Sequence, residues 1–387
     1  MSNRRQLILD EFAARFGGAP SALVRAPGRV DLMGSHTDYN LGYVMTMTLD
    51  RDTWLALRPR DDRIVSVQSL NMPGCSDFSL DDITHCETAP WTEYARGMAW
   101  ALQEAGHALS GFDGLIHSTI PFGSGLSSSA AIEMAVGVAF QVASGFRIDP
   151  IALALLGQRA ENKFVGLNCG ILDQYSSALG QAGSALLLDC RDLTRTLAPI
   201  AEGITVVICD TRAPRQLLGS EYDDRHAQCD EGVRLLSAAY PHVRALRDVT
   251  VEMLAFCEDS LPPVVARRCR FIVEEDDRVL ALGHALTAGD RAALRELFAA
   301  SYAGARDQYE IGAPAMEAMM AAMLAGTGVI GARQAGAGFG GCMVALVEAD
   351  AVNAFAAAVK SGYAARTGIE PHVYPVKPSA GAGLLDS

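Results

Sequence analysis

One stretch constrains this chain more than any other: Pro121-Phe-Gly-Ser-Gly-Leu-Ser-Ser-Ser-Ala130. It follows a strand-like segment at 114–119 (GLIHST) and runs into an apolar helical pattern that reaches about Phe140. Gly123 and Gly125 permit a tight turn and a close approach of backbone to a ligand. The helix behind them offers free amides and a positive dipole end, so the order strand, glycine turn, helix makes an anion cradle. Serine hydroxyls add donors, or hard oxygen ligands for Mg2+. A serine N-cap on an ordinary loop would explain the serines alone. The order of the three parts favours phosphate.

Two other phosphate motifs drop out. The chain has no Gly-Lys dipeptide and so no Walker A loop. Gly336-Ala-Gly-Phe-Gly-Gly341 satisfies GxGxxG, but Cys-Met-Val-Ala-Leu-Val follows, a strand where the dinucleotide fingerprint needs a helix. Those glycines read instead as a close-packed turn, facing a ligand at most.

Composition excludes further classes. The 387 residues hold 32 Lys+Arg against 45 Asp+Glu, a net charge of −13, which disfavours a nucleic-acid partner. Hydrophobic residues make up 50%, enough for a sizeable core, yet no apolar run approaches the ~18 residues of a membrane span. The N-terminus lacks a secretory apolar region and reads as a helix over 4–16 of a cytoplasmic protein. Nine cysteines without any CxxC, and histidines without HExxH, point to reduced thiols and no transition-metal site. No obligate protein partner is implied.

Periodicity predicts strands at 43–48, 53–58 and 64–69, a helix from about Trp91, and another over roughly 150–164. Strands ending at Cys190 and Asp210 close the first half. From Ser220 to about Leu324 the pattern is mainly helical, and the last ten residues read as a loose tail. Two interlocked α+β lobes, 1–205 and 206–387, are expected.

Two more segments carry chemistry. Arg25–Asn40 (RAPGRVDLMGSHTDYN) packs arginines, aspartates and a histidine beside two glycines. It reads as a charged turn or as a polyol site, with Asp38 and His36 on hydroxyls and Arg29 on a reacting phosphate. In Glu161–Tyr175 (ENKFVGLNCGILDQY), Glu161 and Asp173 suggest one Mg2+ ligand and one general base once a phosphate loop is present.

Together these segments resemble the galactokinase family of the GHMP small-molecule kinases. Gly28–Asn40 is similar to the family motif GRVNLIGEHTDYN, Gly123–Ala130 to GxGLSSSA, Cys169–Gln174 to CGxxDQ, and Ala332–Gly341 to its glycine-rich third motif. WTEYARG at 91–97 and SEY at 220–222 extend the resemblance over nearly the whole chain. It implies an α+β, two-lobed GHMP kinase fold with a left-handed βαβ phosphate loop and a ferredoxin-like C-terminal lobe. It implies ATP and Mg2+ as cofactors, a small-molecule sugar as partner, and transfer to the anomeric hydroxyl of a galactose-configured pyranose. By position, Asp173 falls on the catalytic base and Arg29 on the arginine beside it. Ser129 and Glu161 fall on the Mg2+ ligands. Ser69 and the loop residues Gly123, Ser124, Gly125, Leu126, Ser127, Ser128 and Ser129 fall on nucleotide contacts. Ser35, His36, Asp38, Gly170 and Tyr222 fall on sugar contacts.

Of the departures from the motif, Ser35 bears on the sugar. Ser35 stands where the motif has a glutamate that clamps the sugar's O6, and Asp31 stands where it has asparagine. Ser35 removes a charged acceptor from a C6 hydroxyl and a repulsive neighbour from a C6 carboxylate. Galactose leads, with galacturonate and L-arabinose as alternatives. A non-catalytic sugar sensor is the minor reading, since Asp173, Glu161 and Ser127–Ser129 are all present.

Overall fold

The computed structural model describes residues 2–213 and 219–385, and among these twelve strands fall into two sheets. The first seven are β1 (Ala22–Met33), β2 (Tyr43–Pro59), β3 (Ile64–Ser69), β4 (Cys75–Ser79), β5 (Phe112–Ser118), β6 (Ser184–Asp189) and β7 (Arg195–Pro199), and they share one sheet. The next four, β8 (Ile204–Asp210), β9 (Val329–Gln334), β10 (Cys342–Glu348) and β11 (His372–Val376), form the second. The last, β12 (Gly383–Leu384), returns to the first sheet beside β1.

β2 organises the first sheet because it is long enough to serve two neighbours on the same side. Its start pairs with β6 and its end with β5, while β1 runs along its other side. The helix Ser128–Ser144 lies across β1 and β2. It buries Ala131, Met134, Ala135, Val136 and Phe140, small and apolar residues that let helix and sheet approach closely. The second sheet is antiparallel throughout in the order β11-β8-β10-β9. Helices cross over between β8 and β9, and Val352–Thr367 between β10 and β11. That βαββαβ path is the ferredoxin-like arrangement.

Three expectations change. Residues 25–40 are expected as a buried charged turn or a polyol site; their first part, to Met33, belongs to strand β1, where Arg25 pairs with Asp52 on β2 and Arg29 with Asp31. The segments 43–48 and 53–58 are one continuous strand, β2. The tail is not loose as far as it is described: the Ser379 amide donates to the Thr48 hydroxyl at 3.3 Å, Gly381 to Gly180 O at 2.8 Å and Ala382 to Ser177 O at 2.8 Å. A division at 205/206 therefore leaves the last strand with the first lobe. No described helix is long and apolar enough to cross a membrane.

Candidate active site

Close backbone contacts bring the three motifs together. β1 changes register between Pro27 and Arg29, and the Arg29 amide donates to Leu126 O at 3.2 Å. A Cβ on Gly28 would sit 2.5 Å from that same carbonyl, so only glycine lets β1 lie against the loop. At the far end, a Cβ on Gly170 would sit 1.8 Å from Asp38 Oδ2, which fixes the turn before Asp173 against the sugar motif.

Asp173 opens the helix Leu172–Leu179, and both of its oxygens are engaged. Arg29 donates to Oδ1 from Nε at 2.9 Å and from Nη2 at 2.5 Å, while the Ser127 hydroxyl donates to Oδ2 at 2.6 Å. Arg29 Nη1 donates to Gly125 O at 2.7 Å, so one arginine ties the carboxylate to the glycine loop. Ser127 holds φ at 58°, a left-handed conformation that turns its hydroxyl from the helix cap towards Asp173.

The loop's hydroxyls thus divide their work. Ser127 serves Asp173, and Ser124 donates to Pro121 O at 2.7 Å. Ser69 accepts from the amides of Asn71 and Met72 and closes a turn after β3. What remains for a phosphate is the amide edge around Gly123 and Gly125, both at positive φ, and the start of the helix with Ser128 and Ser129. Leu126 is buried and anchors the loop to the core.

The Ser129 hydroxyl lies close enough to Glu161 to help lower its pKa. Glu161 opens a π-helical turn, Glu161–Val165, that ends the helix Pro150–Ala160. Such a turn re-aims a side chain, and the periodicity that predicted a helix over 150–164 does not show it. Burial and then the Asp173 charge raise the Glu161 pKa, whereas hydrogen bonds from Cys169 and Gln174 and the nearby Ser129 hydroxyl lower it. Glu133, one helical turn beyond Ser129 and fully buried, is pushed well above the usual carboxylate range by burial and by Glu161. Gln174 Nε2 donates to both, at 2.9 Å to Glu133 and 2.6 Å to Glu161. Neither Glu133 nor Gln174 was singled out from the sequence. The four-residue spacing from Ser129 was the available signal for Glu133.

Beside Asp173 lies a cavity of about 180 Å³, lined by Arg29, Asp31, His36, Asp38, Gly170 and Tyr222 among others. It shares Asp38, Gly170 and Tyr222 with a wider cleft of about 670 Å³. Burial, and then the Asp31 and Asp173 charges, push Asp38 up to about 6, against hydrogen bonds from backbone amides. His36 is pushed down to about 4 by burial and is therefore neutral at pH 7. Its Nε2 donates to Ala337 O at 2.9 Å, and its Nδ1 accepts from the Tyr39 hydroxyl at 2.9 Å. Both ring nitrogens are committed, and its ring packs against that of Tyr222 with centroids 5.3 Å apart. Ser35 is buried, and its hydroxyl accepts from Arg333 Nη2 at 3.1 Å. Asp31, a position with no role assigned from the sequence, lines the cavity. Another groove, of about 600 Å³ beside β12, is apolar and contains none of these groups.

Comparison with known proteins agrees with this geometry. Residues 10–59 match the galactokinase galactose-binding signature, 93–181 the GHMP kinases N terminal domain and 284–365 the GHMP kinases C terminal family. A galactokinase of Chloroflexus aurantiacus is 45% identical over 373 residues, covering 96% of this chain and 95% of its own. This chain belongs to the galactokinase family. Another member, a galactokinase of Chloroflexus aggregans, is 46% identical over 377 residues, 97% of this chain and 96% of its own. The crystal structure of Lactococcus lactis galactokinase complexed with galactose superimposes with a TM-score of 0.93 at 33% identity, covering 99% of this chain and all of that one. A mevalonate kinase, with a TM-score of 0.64 at 15% identity, shares the fold. The enzyme is an ATP-dependent sugar kinase with the two-lobed GHMP fold, and it uses ATP with Mg2+.

The residues present fit that cation. Ser129 and Glu161 are neighbouring hard oxygen donors, and Glu161 sits among carboxylates whose repulsion a cation would relieve. Among the described residues no group of three or more His, Cys, Asp or Glu is placed to hold a metal alone. A site of two protein oxygens completed by phosphates and water is how Mg2+ commonly binds. Glu161→Gln is therefore expected to raise the Mg2+ concentration for half-maximal activity by at least about tenfold. Titrating Mg2+ against turnover checks this, and an unchanged midpoint would remove Glu161 from the metal.

Gly170→Ala tests the contact between the motifs. The new Cβ must displace Asp38, so the sugar KM is expected to rise at least about tenfold while the ATP KM stays within twofold. Equal changes in both would point to general distortion.

Proposed function

We propose that this enzyme transfers the γ-phosphoryl group of ATP to the anomeric hydroxyl of galactose. The observation that carries the reading is Asp173, held through Oδ1 by Arg29 and through Oδ2 by Ser127 where the glycine loop meets the small cavity. Asp173 takes the proton from the anomeric hydroxyl as its oxygen bonds phosphorus and the bond to the ADP oxygen breaks. Arg29 holds the base in place and supplies positive charge next to the loop. Phosphoryl transfer needs this placement and charge more than it needs covalent chemistry. Mg2+ held by Ser129 and Glu161 would neutralise phosphate charge. The cavity side of the site, with His36, Asp38, Gly170 and Tyr222, receives the sugar.

The cavity's charge supports a neutral sugar. Asp31, Asp38 and Asp173 line it against one arginine, and a sugar carboxylate brought among them would be repelled in a partly dry site. Galacturonate is disfavoured on this ground, whatever Ser35 allows. L-Arabinose is the second reading, because Ser35 presents no carboxylate for a C6 hydroxyl and a pentose needs none. Turnover in the cytoplasm is consistent with eight free cysteines among the described residues.

The deciding experiment is kcat/KM with ATP and galactose, L-arabinose, galacturonate or N-acetylgalactosamine. Galactose should lead and galacturonate should be the poorest. A preference for galacturonate would overturn the charge argument.

A further inference from the structure

We infer that Asp31 is a sugar-binding residue of this kinase, its carboxylate accepting a hydrogen bond from a sugar hydroxyl close to the reacting one. The inference rests on the proposed sugar phosphorylation and specifies which side chain reads the sugar beyond the reacting centre. Asp31 lies two residues beyond Arg29 on β1 and lines the small cavity, 3% exposed. Its Oδ1 is 3.1 Å from Arg29 Nε, but the single Nε–H is directed at Asp173 Oδ1, 2.9 Å away. Asp31 Oδ1 is left buried without a hydrogen-bond donor. A buried carboxylate oxygen that lacks a donor is unfavourable, and a hydroxyl entering the cavity supplies one. Asp31 and Asp173 flank the same guanidinium, so that hydroxyl lies near the one being phosphorylated.

A second buried arginine adds its attraction to Asp31. Arg333 on β9 is fully buried; its Nη2 donates to Ser35 and lies 3.3 Å from Glu275, while Nε and Nη1 have no hydrogen-bond partner. Attraction to Arg29 and Arg333 opposes the burial that raises the Asp31 pKa. Positions 31 and 35, two of the three at which this chain departs from the family motif, both interact with Arg333, Asp31 through its charge and Ser35 through a hydrogen bond. The motif has an uncharged residue and then a carboxylate; this chain has a carboxylate and then a hydroxyl. One negative charge is thus kept within the motif but shifted from position 35 to position 31, which lines the small cavity.

Asp31→Asn, which keeps shape and removes charge, is tested on galactose and its 2-, 3-, 4- and 6-deoxy analogues. The sugar KM for galactose should rise about 10- to 100-fold with the ATP KM unchanged. For the one analogue that lacks the contacted hydroxyl, wild type and variant should agree within about twofold, the signature of a lost pairwise contact. An equal penalty on all five sugars would make Asp31 merely structural and overturn the inference. Ser35→Glu added to Asp31→Asn should recover the melting temperature lost in the single variant, and additive losses would overturn the relocated charge. Failure of the galactose assignment shows separately, as a wild-type enzyme that turns over L-arabinose and not galactose. Asp31→Asn should then raise the KM for L-arabinose, and an unchanged value would reject the role of Asp31.

Discussion

Asp173→Asn is expected to lower kcat by about 10²- to 10⁴-fold, the usual contribution of a positioned general base. The substitution is close to isosteric. An asparagine carbonyl oxygen can still accept from Arg29, and the Ser127 hydroxyl can turn from donating to accepting, so the loop keeps its shape. What disappears is the proton acceptor. ATP affinity, measured on the unreactive variant by calorimetry, should stay within a few fold of wild type because the amide edge of the loop is untouched. A variant within tenfold of wild-type turnover would show that the proton of the anomeric hydroxyl leaves by another route.

Arg29→Met should cost about 10³-fold in kcat, in the range for arginines that neutralise charge in phosphoryl transfer. It should also destabilise the fold, unlike Asp173→Asn. Arg29 is 7% exposed and donates to Asp173 and to Gly125 O, with Asp31 close by. Removing it leaves two carboxylates facing each other without their shared cation. Arg29→Lys separates the two effects. A lysine restores the charge, and with it much of the melting temperature, but has no planar fork to hold Asp173 and the loop together. Its kcat should remain far below wild type. If Arg29→Lys recovered full turnover, charge alone would suffice and the bidentate geometry would be incidental.

The phosphate loop and its helix were legible because each residue type there has a local reason to be present. Glycines at positive φ, serines at the helix start and an unbroken apolar face do not depend on distant partners. β1 was not legible for the opposite reason. Arg25, Arg29 and Asp31 read as a charged turn because the partners that make them a strand, Asp52 for Arg25 and Asp173 for Arg29, lie far along the chain. The serines show the same division. Nothing local distinguishes Ser127, which turns to Asp173, from Ser129, which meets Glu161. The π turn at Glu161 and the docking of residues 379–385 depend equally on partners that only the folded chain supplies.

The central claim is that Asp173, the glycine loop and the three-carboxylate cavity phosphorylate galactose at C1. The most direct test is the product of wild-type enzyme with ATP, Mg2+ and galactose, followed by phosphorus NMR. The account requires one ADP per sugar phosphate, with the phosphorus coupled to the anomeric proton. Phosphate on another carbon, ADP released without sugar phosphate, or no turnover of galactose would contradict it.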